Sequence, residues 1–299
     1  MRDFLRYNFK VFDAPIVLRG CKLTRNSTFH IGCQSWGYDD WITRPGGEIA
    51  FYPRSTKRDE MLQQYARAFD TIEIDSTVYG LPPVSNFKSW YDKTPPDFLF
   101  SLKLPREITH ERFLDASSFP VLDEFLRRAA AFEEKLGVLL IQLPASFDGA
   151  TENGQALRKF LSHLPKEFRF AIEFRNPEWF IDWTFEELEK NGVALALVEG
   201  PWVPRQTMFD AIEKVSSKFA YIRLMAEKDL EKFDKIYRDR TAIIKLWLEN
   251  LKRLNASEFF VYCDNYLEGH APATARKIQK MLGLRTVEPS KLENQPSLF

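Results

Sequence analysis

The stretch Thr71-Ile72-Glu73-Ile74-Asp75 points to the fold of this chain. Side chains alternate between the two faces of a β-strand, so Ile72 and Ile74 share one face while Glu73 and Asp75 share the other. A strand inside a parallel sheet is buried on both faces and is normally apolar throughout. In a barrel, the apolar face would meet surrounding helices and the acids would point into the lumen. We therefore predict a barrel strand with a charged inner face.

Seven further runs of β-forming apolar residues alternate with longer helical patterns, which is typical of β/α units around a parallel sheet. The eight runs lie near residues 28–35, 70–75, 98–104, 137–143, 168–175, 193–198, 219–224 and 258–264. Eight strands close a barrel, and about 250 residues is a usual length for one. We predict an α/β protein with a single (β/α)8 TIM-type barrel at residues 28–283. An N-terminal extension at 1–27 and a short, flexible C-terminal tail at 284–299 flank it.

Helices between the strands are predicted where apolar residues recur at helical spacing. Segments 121–134, 240–254 and 272–282 have this pattern. The apolar face predicted for 240–254 consists of Ile243, Leu246, Trp247, Leu251 and Leu254. The connection 36–57 is longer and contains proline and glycine, so we expect it to run over the barrel mouth.

Composition bears on the cellular location of the protein and on its electrostatic attraction to nucleic acid or membranes. The 42 Lys and Arg residues balance the 42 Asp and Glu residues, so no long-range field draws the molecule to nucleic acid or an anionic membrane. The three cysteines form no C-x-x-C pair, which argues against a disulfide framework or a zinc finger. No apolar run approaches the about 18 residues that span a bilayer, and the N-terminus has no signal-peptide pattern. We expect a cytoplasmic protein that does not bind membranes.

Polar side chains occupy the inward face of several runs near their carboxyl ends. Besides Glu73 and Asp75, these are Ser101, Lys103, Gln142, Glu173, Arg175, Arg223, Asp264 and Asn265. Barrel active sites are built at this end. The alternative is an ion-pair network that only stabilises the barrel, but burial costs each ion several kcal/mol in desolvation. We interpret the set as a ligand pocket, in which any single member can still be a supporting residue.

Loops at the same end add histidines and tryptophans. His110 follows the third run and His270 follows the eighth. An imidazole there can transfer a proton near neutral pH or bind an anion, and the alternative for each is a helix cap or a loop hydrogen bond. The tryptophans in these loops are Trp36, Trp41, Trp179, Trp183 and Trp202. They can stack on a sugar or base, or each can simply cover the core.

Common catalytic motifs are missing from the sequence. It has no H-E-x-x-H, no G-x-S-x-G, no phosphate loop and no G-x-G-x-x-G after a strand. The groups that could assemble a divalent-metal site are Glu73, Asp75, Glu173, Asp264, His110 and His270. Their spacing does not require a metal. We predict that no cofactor is required and keep a divalent metal as an alternative.

Seven ordered blocks of sequence carry a family resemblance. They include Ile31-Gly32-Cys33-Gln34-Ser35-Trp36-Gly37-Tyr38, Glu73-Ile74-Asp75-Ser76-Thr77-Val78-Tyr79, Lys103-Leu104-Pro105, Gln142-Leu143-Pro144, Glu173-Phe174-Arg175 and Gly269-His270-Ala271-Pro272. Over residues 29–283 the chain resembles the YecE-like family, a domain of unknown function. The resemblance implies a TIM barrel but supplies no reaction. The family usually has histidines where this chain has Asn176 and Met225, which implies an altered or inactive member if those histidines take part in chemistry.

The chain ends in Gln295-Pro296-Ser297-Leu298-Phe299. This end resembles the pentapeptide by which bacterial replication and repair proteins bind the sliding clamp. In that mode Leu298 and Phe299 enter an apolar pocket and the Gln295 amide binds its rim. Pro296 replaces the usual leucine, and the alternative is an ordinary tail.

Three functions follow from these patterns and stay open. The first is an enzyme with hydrolase- or isomerase-like chemistry on a small polar or anionic ligand that contains phosphate or sugar, such as a nucleotide. The second is a DNA-maintenance protein, nuclease or accessory, that is recruited to the sliding clamp. The third is a barrel that binds a ligand without catalysis.

The enzyme hypothesis assigns a role to each pocket residue. Lys103, Arg175 and Arg223 would hold an anion. Glu73 and Glu173 would form the acid–base pair, and His110 or His270 would deliver a proton. A Schiff base on Lys103 is a further alternative. The remaining predicted ligand contacts are Trp36, Asp75, Ser76, Tyr79, Gln142, Asp264 and Asn265.

Overall fold

The computed structural model describes residues 27–47 and 49–292 and contains a closed barrel of eight strands. Every neighbouring pair is parallel, and the last strand closes onto the first. The strands are β1 (Thr28–Gln34), β2 (Thr71–Ile74), β3 (Leu99–Lys103), β4 (Leu136–Gln142), β5 (Arg169–Glu173), β6 (Ala194–Glu199), β7 (Phe219–Leu224) and β8 (Glu258–Cys263). Each lies within a residue or two of a predicted run. The predicted fold class is confirmed.

Helices follow the strands and cover the outside of the barrel. They are α1 (Met61–Tyr65), α2 (Val84–Asp92), α3 (Phe119–Ala129), α4 (Thr151–His163), α5 (Asp182–Asn191), α6 (Arg205–Ala211), α7 (Thr241–Leu251), α8 (Asn265–Glu268), α9 (Ala271–Met281) and α10 (Pro289–Leu292). Short 3-10 segments lie at Asp39–Trp41, Ser76–Val78, Ala116–Ser118, Ala130–Lys135 and Pro177–Trp179, and a π-helical turn lies at Glu107–Glu111. Each helix in the described ranges is too short or too polar to cross a lipid bilayer.

Helix α7 confirms the predicted helix near 240–254 but corrects its buried face. Ile244, Trp247, Leu248 and Leu251 are buried, whereas Leu246 is 44% exposed. The buried set has the i, i+3, i+4, i+7 spacing of one helix face. Leu246 is two residues from Ile244, which corresponds to about 200° of helical rotation. The prediction that Leu246 belongs to the core face was wrong for this reason.

The lumen is filled by layers of side chains, and the layer at the carboxyl end is polar. Gln34 lies level with Glu73 on the neighbouring strand, and Gln142 lies level with Glu173. Below them the Tyr262 hydroxyl donates to Ser101 Oγ at 2.8 Å. The alternation of Glu73 with Ile72 and Ile74 therefore places the acid inside the barrel, as the sequence predicts.

The connection after β1 packs into the core as well as lying at the barrel mouth. Trp41, Phe51 and Tyr52 are fully buried in it. The Trp41 indole donates from Nε1 to Asn265 Oδ1 at 3.1 Å, which ties this connection to the loop after β8. Trp41 is thus a core side chain, which is the alternative that the sequence left open.

Residues 284–292 correct part of the predicted flexible tail. Helix α10 ends at Leu292, which is only 2% exposed. Just before it, Glu288 forms an ion pair with Lys280 at 2.7 Å. The polar composition of this segment suggested a flexible tail, but buried Leu292 and the ion pair of Glu288 hold it against the barrel. The rest of the predicted tail, 293–299, and the predicted extension through residue 26 lie outside the described residues.

His30 anchors an ion-pair cluster at the opposite, amino-terminal end of the barrel. Its Nδ1 lies 2.9 Å from Asp70 Oδ2, and its Nε2 lies 3.2 Å from Glu258 Oε1. Glu258 also pairs with Arg169 at 2.8 Å. Burial lowers the pKa of His30, but the hydrogen bonds to Asp70 and Glu258 outweigh burial and raise that pKa to about 9.

The His30 cluster predicts a pH dependence of stability. The pKa of His30 rises from 6.5 to about 9 on folding, so its contribution is complete below pH 6.5 and is lost as pH rises through 9. We expect the free energy of unfolding to fall by about 3 kcal/mol over this window on account of His30. Urea unfolding from pH 6 to 10 of wild type and His30→Gln measures it. His163→Gln is the matched control, and an unchanged slope in His30→Gln would contradict the assignment.

Candidate functional site

Arg223 on β7 holds two buried carboxylates together at the carboxyl end of the barrel. Its Nε and Nη2 donate to the two oxygens of Glu73 at 2.9 and 2.8 Å, and its Nη1 donates to Glu173 Oε2 at 2.5 Å. The Arg223 side chain is 3% exposed, and those of Glu73 and Glu173 are 0% and 1% exposed. Bidentate, charge-assisted bonds of this kind fix the orientation of all three groups.

Further donors reach both carboxylates. The Tyr221 hydroxyl donates to Glu73 Oε2 at 2.6 Å, and Gln142 and Arg175 donate to Glu173 Oε1 at 2.9 and 2.8 Å. Burial raises the pKa of Glu173, but the charges of Arg223 and Arg175 overcome this and lower that pKa to about 2. Glu173 is therefore ionised at neutral pH and is a poor proton donor.

The structure thus brings Glu73 and Glu173 together, but through an arginine that is hydrogen-bonded to both. An acid–base pair needs a carboxylate oxygen that can exchange a proton with substrate. In the described residues each oxygen of these two side chains already accepts a hydrogen bond. We therefore replace the acid–base assignment of this pair by a supporting one.

Arg175 extends the network to the barrel mouth. Its Nε bonds to Glu173, and its guanidinium carbon lies 3.6 Å from the ring centroid of Trp202. Its two Nη groups have no hydrogen-bond partner among the described residues. A carboxylate on one side and an indole on the other hold the guanidinium plane. Arg175 therefore presents oriented, unused donors.

Lys103 ends β3 beside this network. Within the described ranges its Nζ has no hydrogen-bond partner. Burial lowers the pKa of Lys103, and the neighbouring charges of Arg223 and Arg175 lower it further, to about 8, against the opposing effect of Glu173 and Glu73. A partly neutral amine near physiological pH is the outcome.

His110 lies in the π-helical turn that follows β3. Its Nδ1 is 2.8 Å from Thr109 Oγ1. Burial lowers the pKa of His110, and the positive charges of Lys103, Arg106 and Arg175 lower it further, to about 4. The imidazole is neutral at pH 7, so it can accept or donate a hydrogen bond but is not the cationic proton donor that the sequence suggested.

The pKa values of two aspartates at the mouth, Asp75 and Asp264, are raised rather than lowered. Burial raises the pKa of Asp264 to about 6, although the backbone N–H of Tyr266 bonds to it at 2.6 Å. Burial and the charge of Glu73 also raise the pKa of Asp75. Asp264 therefore changes protonation state near neutral pH, which Glu173 does not.

The side chains of Asn265 and His270 make hydrogen bonds that hold the loop after β8 and the start of helix α9 in place. Asn265 Oδ1 accepts from the Trp41 indole and from the Ala271 backbone N–H at 2.9 Å. His270 is buried, and its Nδ1 accepts from the Ala273 backbone at 3.3 Å, which caps helix α9. Burial lowers the pKa of His270 to about 3. The helix-cap alternative describes His270, and we do not retain it as a proton donor.

The other predicted ligand contacts lie at the rim. Trp36 packs edge-on against Trp90 with ring centroids 5.5 Å apart. Ser76 is exposed, and Tyr79 is 84% exposed. These three lie in the loops after β1 and β2, and among the described residues none of them is hydrogen-bonded to the ion network.

Sequence reasoning missed Gln34 and Tyr221. Gln34 Oε1 accepts from Arg223 at 3.0 Å, and its buried Nε2 has no partner among the described residues. Tyr221 precedes Arg223 by two residues and so shares its inward face. The same period-two argument that found Arg223 could have found Tyr221, and the end of β1 could have indicated Gln34.

Asn176 and Met225 stand where the YecE-like family usually has histidines, and here both side chains have structural contacts. Asn176 accepts from the Glu178 backbone at 3.0 Å and donates to the Ala145 carbonyl at 3.1 Å, so it closes a turn. Met225 is buried with its sulfur 3.9 Å from Arg223 Nη1. Neither supplies an ionisable group to the mouth.

A divalent metal does not fit the acids of this site. In the described part of the chain, no group of three or more His, Cys, Asp or Glu side chains is arranged to hold one. The carboxylate oxygens of Glu73 and Glu173 instead accept hydrogen bonds from Arg223 and its neighbours. We derive no step through a metal.

Sequence comparisons relate the chain to uncharacterised proteins. The family described as "Protein of unknown function DUF72" matches residues 30–297. The UPF0759 protein YecE of Escherichia coli (strain K12) is 32% identical over 164 residues, which cover 55% of this chain and 54%, about half, of that relative's length. The UPF0759 protein YunF of Bacillus subtilis (strain 168) is 24% identical over 277 residues, which cover 85% of this chain and 95% of that protein.

Solved structures are similar over most of the barrel. A DUF72 family protein from Thermotoga maritima MSB8 has a TM-score of 0.69 and 25% identity, covering 86% of this chain and 99% of that one. A DUF72 family protein from Enterococcus faecalis V583 has a TM-score of 0.67 and 23% identity, covering 87% of this chain and 99% of that one. The second likeness concerns the fold alone.

Proposed function

The chain belongs to the DUF72 family, as its ordered motifs predicted, and from the geometry of its barrel mouth we propose that it is an enzyme acting on a small sugar phosphate. The family membership supplies the barrel but no reaction. The proposal rests on the side chains at the carboxyl ends of the strands, where barrel enzymes place their sites.

The observation that carries the proposal is the unused face of Arg175. Its two Nη groups match the geometry of a phosphate, which accepts paired N–H bonds from one guanidinium. Glu173 and Trp202 hold that guanidinium in place before a ligand arrives. Lys103 adds a second positive charge beside it. Preorganised donors of this kind lower the ordering cost of binding.

Proton transfer is assigned to Asp264 and Lys103. The pKa values of about 6 for Asp264 and about 8 for Lys103 leave the first as a carboxylate and the second as an ammonium near pH 7. The carboxylate can then accept a proton from substrate while the ammonium donates one, as in isomerase- or hydrolase-like chemistry. His110 contributes a neutral hydrogen-bonding group.

Replacing Arg175 tests the anion site. We expect Arg175→Ala to weaken the binding of ribose 5-phosphate at least tenfold in isothermal titration calorimetry, because a bidentate phosphate contact is lost. Arg158→Ala is the matched control, since Arg158 also pairs with a glutamate, at 3.1 Å, and lies over a tryptophan ring, at 5.1 Å, but outside the mouth. Equal affinities of the two variants, or no binding of ribose 5-phosphate by wild type, would refute the site.

The two other functions predicted from the sequence, a DNA-maintenance protein and a barrel that binds without catalysis, remain predictions. The residues predicted to bind the clamp, Gln295, Leu298 and Phe299, lie outside the described residues, so recruitment to the clamp and to DNA stays a prediction. A barrel that binds without catalysis would share the anion site proposed here. Turnover of a bound sugar phosphate separates that reading from an enzyme.

A further inference from the structure

The connection from β7 to α7, residues 225–240, contains neither helix nor strand and begins at the barrel mouth. We call it the β7 loop. Its first half is exposed at Glu227, Lys228 and Asp229. Within the described ranges, residues 226–232 make hydrogen bonds only inside the loop, such as that from the Asp229 N–H to the Glu227 carbonyl at 2.9 Å. So few ties to the barrel are typical of a segment that opens locally.

Both ends of the β7 loop are fixed to the barrel. The Met225 N–H donates to the Glu199 carbonyl at 2.9 Å. At the other end, the Tyr237 N–H donates at 2.7 Å to the carbonyl of Glu268, which is 0% exposed. Gly269 lets the loop lie this close, because its φ is +108° and a Cβ there would stand 2.6 Å from Tyr237 Cδ2. The two fixed ends can serve as hinges for the chain between them.

Phe233 ties the middle of the β7 loop to two other loops. Its ring packs edge-on against Tyr38 and Tyr266, with centroid distances of 5.8 and 5.0 Å. Its backbone N–H donates to Asp40 Oδ2 at 3.0 Å. Among the described residues, this bond to Asp40 is the only hydrogen bond from residues 226–236 to the rest of the barrel. Tyr38 and Asp40 follow β1 and Tyr266 follows β8, so the loop reaches from β7 past β8 to β1.

The tyrosines against which Phe233 packs adjoin Asp264. The Tyr266 N–H donates to Asp264 Oδ1 at 2.6 Å. Burial and the charges of nearby acids, Asp264 among them, raise the pKa of Tyr38, so its hydroxyl lies near that carboxylate. Burial raises the pKa of Asp264, and the charge of Lys228 is among those that oppose this effect, so the β7 loop also approaches Asp264 before it reaches Phe233. Asp264 itself is half-buried.

We propose that the β7 loop is a lid over Asp264 and that Phe233 is its latch. In the closed position the ring of Phe233 rests on Tyr38 and Tyr266, and the loop limits access to the Asp264 carboxylate. Opening moves residues 226–236 outward between the two fixed ends. Lids of this kind admit a ligand when open and exclude water when closed. The role of the lid in catalysis rests on the proposed function, because Asp264 is the proton acceptor assigned there.

Chemical labelling of Asp264 measures the lid directly. A water-soluble carbodiimide with glycine ethyl ester converts accessible carboxyl groups into amides, and mass spectrometry of the peptides gives the rate at each residue. We expect Phe233→Ala to label Asp264 at least about fivefold faster than wild type, because two edge-on ring contacts that favour the closed loop are lost. Phe233→Tyr, which keeps the ring, should stay near the wild-type rate. Asp40→Ala removes the acceptor of the Phe233 N–H and should also accelerate the labelling.

An aromatic contact away from the mouth supplies the control. Phe119 stacks on His163, where helix α4 ends, with ring centroids 3.9 Å apart. Phe119→Ala should leave the labelling rate of Asp264 unchanged. The exposed Glu231 of the lid should label at one rate in every variant, which calibrates the reagent. Circular dichroism checks that each variant is folded.

The outcomes separate the lid from the anion site. If Phe233→Ala labels Asp264 no faster than wild type, or if Phe119→Ala accelerates it equally, the lid is wrong whether or not ribose 5-phosphate binds. If Phe233→Ala does not fold, Asp40→Ala decides, and an unchanged rate in that variant refutes the lid. If labelling follows the ring at position 233 but ribose 5-phosphate does not bind wild type, the lid stands and the proposed function is wrong.

Discussion

Arg223→Met is expected to lower the free energy of unfolding by about 3–5 kcal/mol at pH 7.5, because it removes the cation that two buried carboxylates share and leaves only Glu173 with another arginine, Arg175. Arg223, Glu73 and Glu173 have side chains 3%, 0% and 1% exposed, so water cannot take the place of the guanidinium. Methionine fills part of the volume but offers no donor. Urea unfolding of wild type and variant measures the loss.

The dependence of that loss on pH identifies its cause. In wild type, the arginine charges hold the pKa of Glu173 at about 2, below the ordinary 4.5, so this stabilisation is present above pH 4.5 and is lost as pH falls through 2. Without Arg223, the buried carboxyl takes up a proton at higher pH. We therefore expect the deficit of Arg223→Met to be smaller at pH 5 than at pH 7.5.

A surface arginine supplies the control for this prediction. Arg253 pairs with Glu213 where the two side chains are 40% and 67% exposed. Arg253→Met should cost less than about 1 kcal/mol, as exposed ion pairs do. A loss below 1 kcal/mol for Arg223→Met, or one that does not change with pH, would show that the network is not held by its charges.

The fold was predictable because strand patterns are local. Alternation in Thr71–Asp75 and in the other runs identifies each strand and its inward face without knowledge of its neighbours. The order of eight runs then closes the barrel. The same rule placed Glu73, Glu173 and Arg223 at one end of the lumen, where the structure has them.

The roles of these residues were less predictable because they depend on partners far apart in sequence. The sequence pattern predicted Glu73 and Glu173 as a free acid–base pair. In the structure, Arg223 from another strand is hydrogen-bonded to both of them. His270 follows a strand end, yet the direction of its ring is set by the cap of helix α9. A strand pattern gives the face of a residue, but not which neighbour takes up its hydrogen bonds.

Lys103 should react with an amine-directed reagent far faster than an ordinary lysine. With a pKa of about 8, half of Lys103 is neutral at pH 8, against roughly 0.4% of a lysine whose pKa is about 10.4. We expect labelling at pH 8 to be at least tenfold faster than that of a reference lysine peptide in the same tube. Its rate should rise through a midpoint near pH 8, as quantified by mass spectrometry of the labelled peptides.

The neighbours of Lys103 determine how that titration should respond. Arg175→Ala removes a positive charge that lowers the pKa of Lys103, so the midpoint should move to higher pH. Ribose 5-phosphate should slow the labelling of Lys103 but not that of Lys159, which lies exposed on helix α4. A Lys103 rate equal to that of the reference peptide, still rising at pH 10, would remove the lowered pKa on which the assignment of Lys103 as the proton donor depends. Protection without a shifted midpoint would keep Lys103 as an anion contact alone, because binding needs only the charge whereas proton transfer needs the pKa.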